Sequence, residues 1–307
     1  TDAIALRGIT VWSQGQSLFG TLIVNLAPTD DESLPPWELD NPHQHRDTTL
    51  GQRRLVTKSR GVVDRLTWQS RLIRLLPSEG KVSEMFFGQG RSADKDSGDP
   101  MKAYRVFKNV GVSAVPLSSN RAAWRDAHTL LMIPAANSGE RRPECFNVVS
   151  RTRTQGTAQP VLFITNTVGL ATAPNKAGKF LLWRHERIPC PASLLTDNNL
   201  IERLGRLLDT SERVAVILGQ RTHGIARLYL APESASAQGR QPDRQAVATL
   251  AESIDPRPAY WARLEQHFYP LLAELPNDWD VNSGGWKPDD QQMASRDWRE
   301  HVKSEAQ

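Results

Sequence analysis

The residues able to do chemistry are present in ordinary numbers: seven histidines, 34 acidic residues and two cysteines. Their spacing forms none of the common catalytic motifs. No Gly-Lys-Ser/Thr follows a glycine-rich stretch, so no phosphate-cradling loop is readable. There is no G-x-S-x-G elbow for a serine nucleophile, and His185-Glu186 begins an H-E-x-x-H helix that the next residues do not complete. No Cys-x-x-Cys occurs, which speaks against a structural zinc site. His43 and His45 are the one metal-like pair, in a polar loop without a third ligand, so ordinary loop histidines explain them as well. The expectation is therefore no catalytic residue, no metal and no cofactor.

Charge gives a different signal. Arginine outnumbers lysine 29 to 9, and guanidinium groups suit planar, bidentate contacts to phosphate or carboxylate. The positive charge is concentrated before residue 232, and Arg141–Arg187 holds eight basic residues against Glu144 and Glu186. Residues 232–307 are acidic, with 8 Lys/Arg against 13 Asp/Glu. A solvated arginine-rich surface fits these numbers as well as a nucleic-acid interface does. Two cysteines in 307 residues do not make a disulfide framework. They suit a reducing cytosol, and a cytoplasmic protein is expected. No stretch nears the roughly 18 apolar residues that span a bilayer, and residues 1–25 lack the marks of a signal peptide.

The elements that would position any site change style near Pro191. Before it, short segments alternate with turns. Leu18–Leu26 reads as a helix and Leu34–Leu39 as extended chain. Gln69–Pro77 and Lys81–Phe87 read as a hairpin around Ser78-Glu79-Gly80. Lys102–Lys108 predicts a strand, Arg121–Met132 a helix and Pro134–Arg142 a loop. Val161–Gly169 and Lys179–Ile188 predict two strands flanking the turn formers Ala173–Gly178. Trp37, Trp68, Trp124, Trp183 and Trp261 sit beside apolar residues, and core packing is the expectation for most of them. After Pro191, Ile201, Leu204, Leu208, Ser211, Ala215, Leu218, Thr222, Ile225 and Tyr229 step by three and four, the pattern of a long bundle helix. Asp243–Ser253 with Ala259–Leu275 predicts a second helical stretch bent by Pro270, and Asp289–Ala306 a third. The expected fold is α+β: an irregular mixed α/β domain over residues 1–190, then a C-terminal, incomplete four-helix bundle over 191–307.

Six stretches, taken together and in order, resemble one known family. They are Leu18-Phe-Gly-Thr-Leu-Ile-Val-Asn-Leu26, Leu66-Thr-Trp-Gln-Ser-Arg-Leu-Ile-Arg-Leu75, Asp99-Pro-Met-Lys-Ala-Tyr104, Arg121-Ala-Ala-Trp-Arg-Asp126, Trp183-Arg-His-Glu-Arg-Ile-Pro189 and Asp255-Pro-Arg-Pro-Ala-Tyr-Trp-Ala-Arg-Leu264. The family is the large subunit of the type I-E CRISPR Cascade complex, CasA. The resemblance implies an α/β domain followed by a four-helix bundle, here as a fragment lacking the N-terminal part and the last bundle helix. It also implies a non-catalytic, DNA-binding subunit of a surveillance complex that carries CRISPR RNA. Such subunits read the PAM, help open the target duplex, hold the displaced strand and dock a helicase-nuclease. The implied partners are thus double-stranded target DNA, the displaced single strand, other Cascade subunits with CRISPR RNA, and the helicase-nuclease.

Site residues follow from the same resemblance. A wedge at a hairpin tip falls on Asn175, Lys176 and Ala177, with Lys176 where the family often has glutamine. Forcing such a tip between base pairs costs a few kcal/mol per unstacked step; a plain exposed turn is the alternative. A basic finger falls on Arg91, with Lys95 second, in a segment where Gly88 and Gly90 permit close backbone approach. The family's glycine-rich loop is expected before Thr1. On the long helix, Arg203, Arg206, Arg213, Arg221 and Arg227 could contact the displaced strand through phosphates, or be neutralised by Asp197, Glu202, Asp209 and Glu212 on a salt-bridged face. The competing function is an Arg-rich scaffold that binds protein partners through its bundle; a hydrolase with convergent His and carboxylate groups comes third.

Overall fold

The computed structural model describes residues 8–26, 34–38, 56–57, 61, 63–64, 67–68, 71–89, 92–93, 98–154, 162–173, 179–231, 241–280 and 282–307. The chain divides into two compact units, Thr1–Ile188 and Pro189–Gln307.

In the first unit, strand β1 (Thr10–Gln14) buries Val11 and Ser13 and leaves Trp12 half-buried. Helix α1 (Leu18–Val24) starts at Ser17, whose Oγ accepts the Gly20 N–H at 3.0 Å. Asn25 ties the helix back to β1: its Oδ1 accepts the Ser13 N–H at 2.9 Å and its Nδ2 donates to the Ser13 carbonyl at 2.6 Å. Where extended chain was expected at Leu34–Leu39, Pro36–Glu38 forms a 3₁₀ turn. The two-residue strand β2 (Val56–Thr57) comes next, and after it β3 (Arg71–Ser78) and β4 (Lys81–Gln89) form the expected hairpin. Glu79 (φ 52°) and Gly80 (φ 73°) turn the chain in the left-handed region, the geometry that tight hairpins favour. Strand β5 (Ser92–Ala93) lies parallel to β2.

Strands β6 (Tyr104–Phe107) and β7 (Gly111–Ala114) make a second small hairpin. A 3₁₀ turn, Ala123–Asp126, leads into the short helix α2 (Ala127–Leu131), together covering the helix expected at Arg121–Met132. Helix α3 (Glu144–Thr154) was not expected from the sequence. The strands expected around the turn formers are β8 (Leu162–Thr172) and β9 (Phe180–Pro191). They complete an antiparallel sheet in the order β1-β8-β9, in which Trp12 faces Asn166 and Val11 faces Thr167 across β1 and β8. Ile9, Val11, Trp124, Leu130, Phe146, Val149 and Ile188 are buried in this unit.

In the second unit, Asp197 caps helix α4 (Asn198–Tyr229), a single helix of 32 residues. Helix α5 (Arg244–Ser253) is capped by Asp243, and helix α6 (Arg257–Glu274) carries Pro270 inside it. The pair β10 (Trp279–Asp280) and β11 (Gly285–Trp286) sets two tryptophans edge to face at 5.0 Å. Helix α7 (Met293–Ser304) follows. Buried Asp278 accepts the Ala294 and Ser295 N–H groups at 3.1 and 2.8 Å and so satisfies the start of α7. Leu204, Leu208, Leu264, Phe268, Leu272 and Trp298 are fully buried. Two polar contacts fix their arrangement: Tyr260 donates to the Ser211 carbonyl at 3.0 Å, and the Trp298 indole donates to the Leu207 carbonyl (3.2 Å) and Ser211 Oγ (3.1 Å). The expected α4 seam faces inward from Ile201 to Thr222. Beyond that Ala226 is buried, whereas Ile225 and Tyr229 are exposed. Among the described residues, no helix is long and apolar enough to cross a membrane.

Candidate nucleic-acid interface

The β8–β9 hairpin begins with its anchorage. Ala123 and Trp124 open a 3₁₀ turn, are almost wholly buried, and have no capping side chain next to them in sequence. Glu186 of β9 supplies the acceptors instead: Oε1 takes the Ala123 N–H at 2.9 Å and Oε2 the Trp124 N–H at 3.1 Å. These charge-assisted bonds hold β9 against Trp124. Arg184 lies 3.6 Å from the same carboxylate. At the far end of the described strands the Ala173 N–H donates to the Lys179 carbonyl at 2.9 Å. The wedge residues Asn175, Lys176 and Ala177 lie outside the described residues, as do Arg91 and Lys95 of the basic finger and the pair His43 and His45.

Along β9 the outward residues are Leu181, Trp183, His185 and Arg187. Trp183 is 63% exposed, and Trp37 is exposed as well, so core packing does not describe these two; Trp124, at 1%, is core. The Trp183 and His185 rings are 6.2 Å apart, and His185 in turn stacks on Trp12 at 5.7 Å and 18°. His185 Nε2 is 3.0 Å from Oδ1 of buried Asn166, which fixes the ring. Arg187 donates to Gln14 Oε1 at 3.1 Å. Sequence reading missed Trp12, His185 and Trp183 as a group. The one available signal was the alternation Leu181, Trp183, His185, Arg187, which Leu182 beside Trp183 disguises.

The five arginines of α4 do not act alike. Arg203 is turned inward: it donates to Gln292 and to Ser295 Oγ (3.3 Å) and lies 5.3 Å from the centre of the Trp286 ring. Burial, with Arg299 and Arg206 nearby, lowers its pKa from the usual guanidinium value. Arg206 pairs with Glu202 at 3.8 Å and Arg213 with Asp209 at 2.6 Å, each one helical turn back. Arg227 donates to Gln241 at 3.0 Å, and Arg221 is exposed with no ion pair among the described residues. Arg206, Arg213 and Arg227 recur at multiples of seven residues, which keeps them on one stripe of the helix.

Elsewhere, basic residues serve the fold. Buried Arg105 donates to the carbonyls of Tyr104, Thr129, Met132 and Arg141, and burial lowers its pKa. Both cysteines are buried thiols, and burial pushes that of Cys145 up to about 11. Among the described residues, no three His, Cys, Asp or Glu side chains gather as a metal site requires.

The sequence model of one family, described as CRISPR-associated protein Cse1, matches residues 1–307. No curated protein matches the chain. Among solved structures, the chain is similar to CasA of Thermus thermophilus, with 23% identity and a TM-score of 0.69 over 100% of this chain and 59% of that one. It is also similar to Cse1 of Acidimicrobium ferrooxidans, with 23% identity and a TM-score of 0.60 over 98% and 57%. A chain of a structure described as a CRISPR RNA-guided surveillance complex matches with 18% identity and a TM-score of 0.52, over 97% of this chain and 55% of that one. At these identities the likenesses show the fold, and the chain spans less than three fifths of the length of each.

Proposed function

The chain belongs to the Cse1 (CasA) family of type I-E CRISPR systems, and from that premise we propose that it is a non-catalytic, DNA-binding subunit of an RNA-guided surveillance complex. In this reading it recognises the PAM beside the target, helps to open the duplex, and holds the displaced strand. It works with the other Cascade subunits and their CRISPR RNA, and it docks the helicase-nuclease. The observation that carries the proposal is the family match over the whole chain.

The physical part of the reading concerns the β8–β9 hairpin. A wedge must transmit force from the body of the protein to the base step it opens, so it needs strands that do not give way. Glu186 and the pairing of β8 with β1 supply that stiffness. Asn175, Lys176 and Ala177 fall between the two strands in sequence, and as a wedge Lys176 would add a cation for phosphate or the minor groove. Arg91 and Lys95 remain the proposed finger. On α4, Arg213 and Arg206 would have to exchange their carboxylate partners for phosphate, whereas Arg221 would not. Arg203 fits the interior of its own unit better than a DNA contact.

Lys176→Ala tests the wedge. In the full-length protein assembled with its guide-RNA complex, this change is expected to weaken binding of PAM-bearing duplex while leaving single-strand binding nearly intact. Equal loss on both substrates would remove Lys176 from the wedge. One observation favours protein docking by the helical unit as a second role. Val216, Ile217, Ile225, Leu228 and Tyr229 of α4 are exposed, and contacts through such residues would be insensitive to salt, unlike phosphate contacts.

A further inference from the structure

We propose that the outward face of β9 is a stacking platform for an unpaired base of single-stranded DNA, with Trp183 as the contact surface. This deepens the nucleic-acid reading and rests on it. Trp12 and His185 stack across the sheet, and Trp183 follows His185 along β9, tilted by 52° and 63% exposed. The stack is held in place before any ligand arrives: Asn166 fixes His185 from below, and Trp12 backs it. An indole presented on a fixed support loses little freedom when a base stacks on it. A freely hinged one would lose more.

Charge identifies the occupant. Glu186, the one carboxylate of β9, is turned inward onto the Ala123 and Trp124 N–H groups. The outward side carries Arg187, while Lys179 is exposed where the strand begins. An aromatic face flanked by cations, with no outward carboxylate on its own strand, is complementary to a base and its phosphates. Proteins that bind single strands without sequence preference use this combination. The platform lies on β9, one strand of the proposed wedge hairpin, so a base unpaired by the wedge would have a surface on the same hairpin to rest on.

The test uses the full-length protein and a 12-nucleotide single-stranded DNA, alongside the same oligonucleotide made abasic throughout. Trp183→Ala is expected to weaken binding of the base-bearing strand about tenfold, and Trp183→Phe to retain most of the affinity. On the abasic strand, wild type and Trp183→Ala should bind alike. The thermal midpoint should not move, because Trp183 is outside the core. Unchanged affinity for the base-bearing strand, or the same loss on the abasic strand, overturns the platform. Unchanged DNA binding with impaired assembly into the complex would also overturn it, by making the face a protein contact. Failure of the PAM-reading proposal would show separately, as loss of PAM dependence on duplex DNA with the single-strand result intact.

Discussion

The first unit carries two long antiparallel hairpins that differ in what lies beneath them. In β3–β4, every residue whose burial is described is exposed, including Ile73, Leu75, Met85 and Phe87. In β8–β9, exposure alternates along β9: Leu181, Trp183, His185 and Arg187 face out, while Arg184 and Glu186 are half-buried and Ile188 is buried. The backbone pairing differs as well: β3–β4 stands as a two-stranded sheet with a register shift between Leu76 and Pro77, whereas β8–β9 belongs to the three-stranded sheet β1-β8-β9. A hairpin acquires a fixed base when one face meets a core and a buried polar group meets its partner. In β8–β9, Ile188 is buried in the core and Glu186 meets the buried Ala123 and Trp124 N–H groups, which is why this hairpin is the better candidate for mechanical work on a duplex.

Two substitutions sharpen the contrast. Glu186→Ala removes the acceptors of two buried N–H groups, and the expected loss is about 2–4 kcal/mol in stability, read by urea denaturation. A loss under about 0.5 kcal/mol would mean that the carboxylate does not anchor the hairpin. Phe87→Thr on β4 is expected to cost about 0.5 kcal/mol or less by the same measurement, as for other exposed sites. A cost near that of Glu186→Ala would show that β3–β4 is covered in the complete protein, and the comparison would break.

Much of the fold was legible where the periodicity is long. Nine positions spaced by three and four from Ile201 onward mark α4, and turn formers between apolar runs mark both long hairpins. Short elements were harder to read. Helix α3 buries Cys145, Phe146 and Val149 but ends in Ser-Arg-Thr-Arg-Thr. Its β-branched and polar residues have weak helix propensity, so docking against the core must decide its form. Strand β1 buries Ser13 beside Val11, which breaks the apolar alternation that would have revealed it. The site was legible only in part. The turn formers located the hairpin, and family resemblance supplied Asn175, Lys176 and Ala177. Trp183 looked like core because Phe180, Leu181 and Leu182 immediately precede it in sequence. Arg203 looked like a surface cation because Trp286, Gln292 and Ser295, its actual surroundings, lie more than 80 residues away.

The central claim is that this chain contributes PAM-dependent DNA recognition to an RNA-guided complex. Its most direct test is a titration of the complex, with and without the full-length protein, against duplexes bearing or lacking a candidate PAM, at two salt concentrations. The account predicts binding that requires this subunit, depends on the PAM, and weakens steeply as salt rises. Equal binding without the subunit would contradict it and leave the scaffold reading in its place.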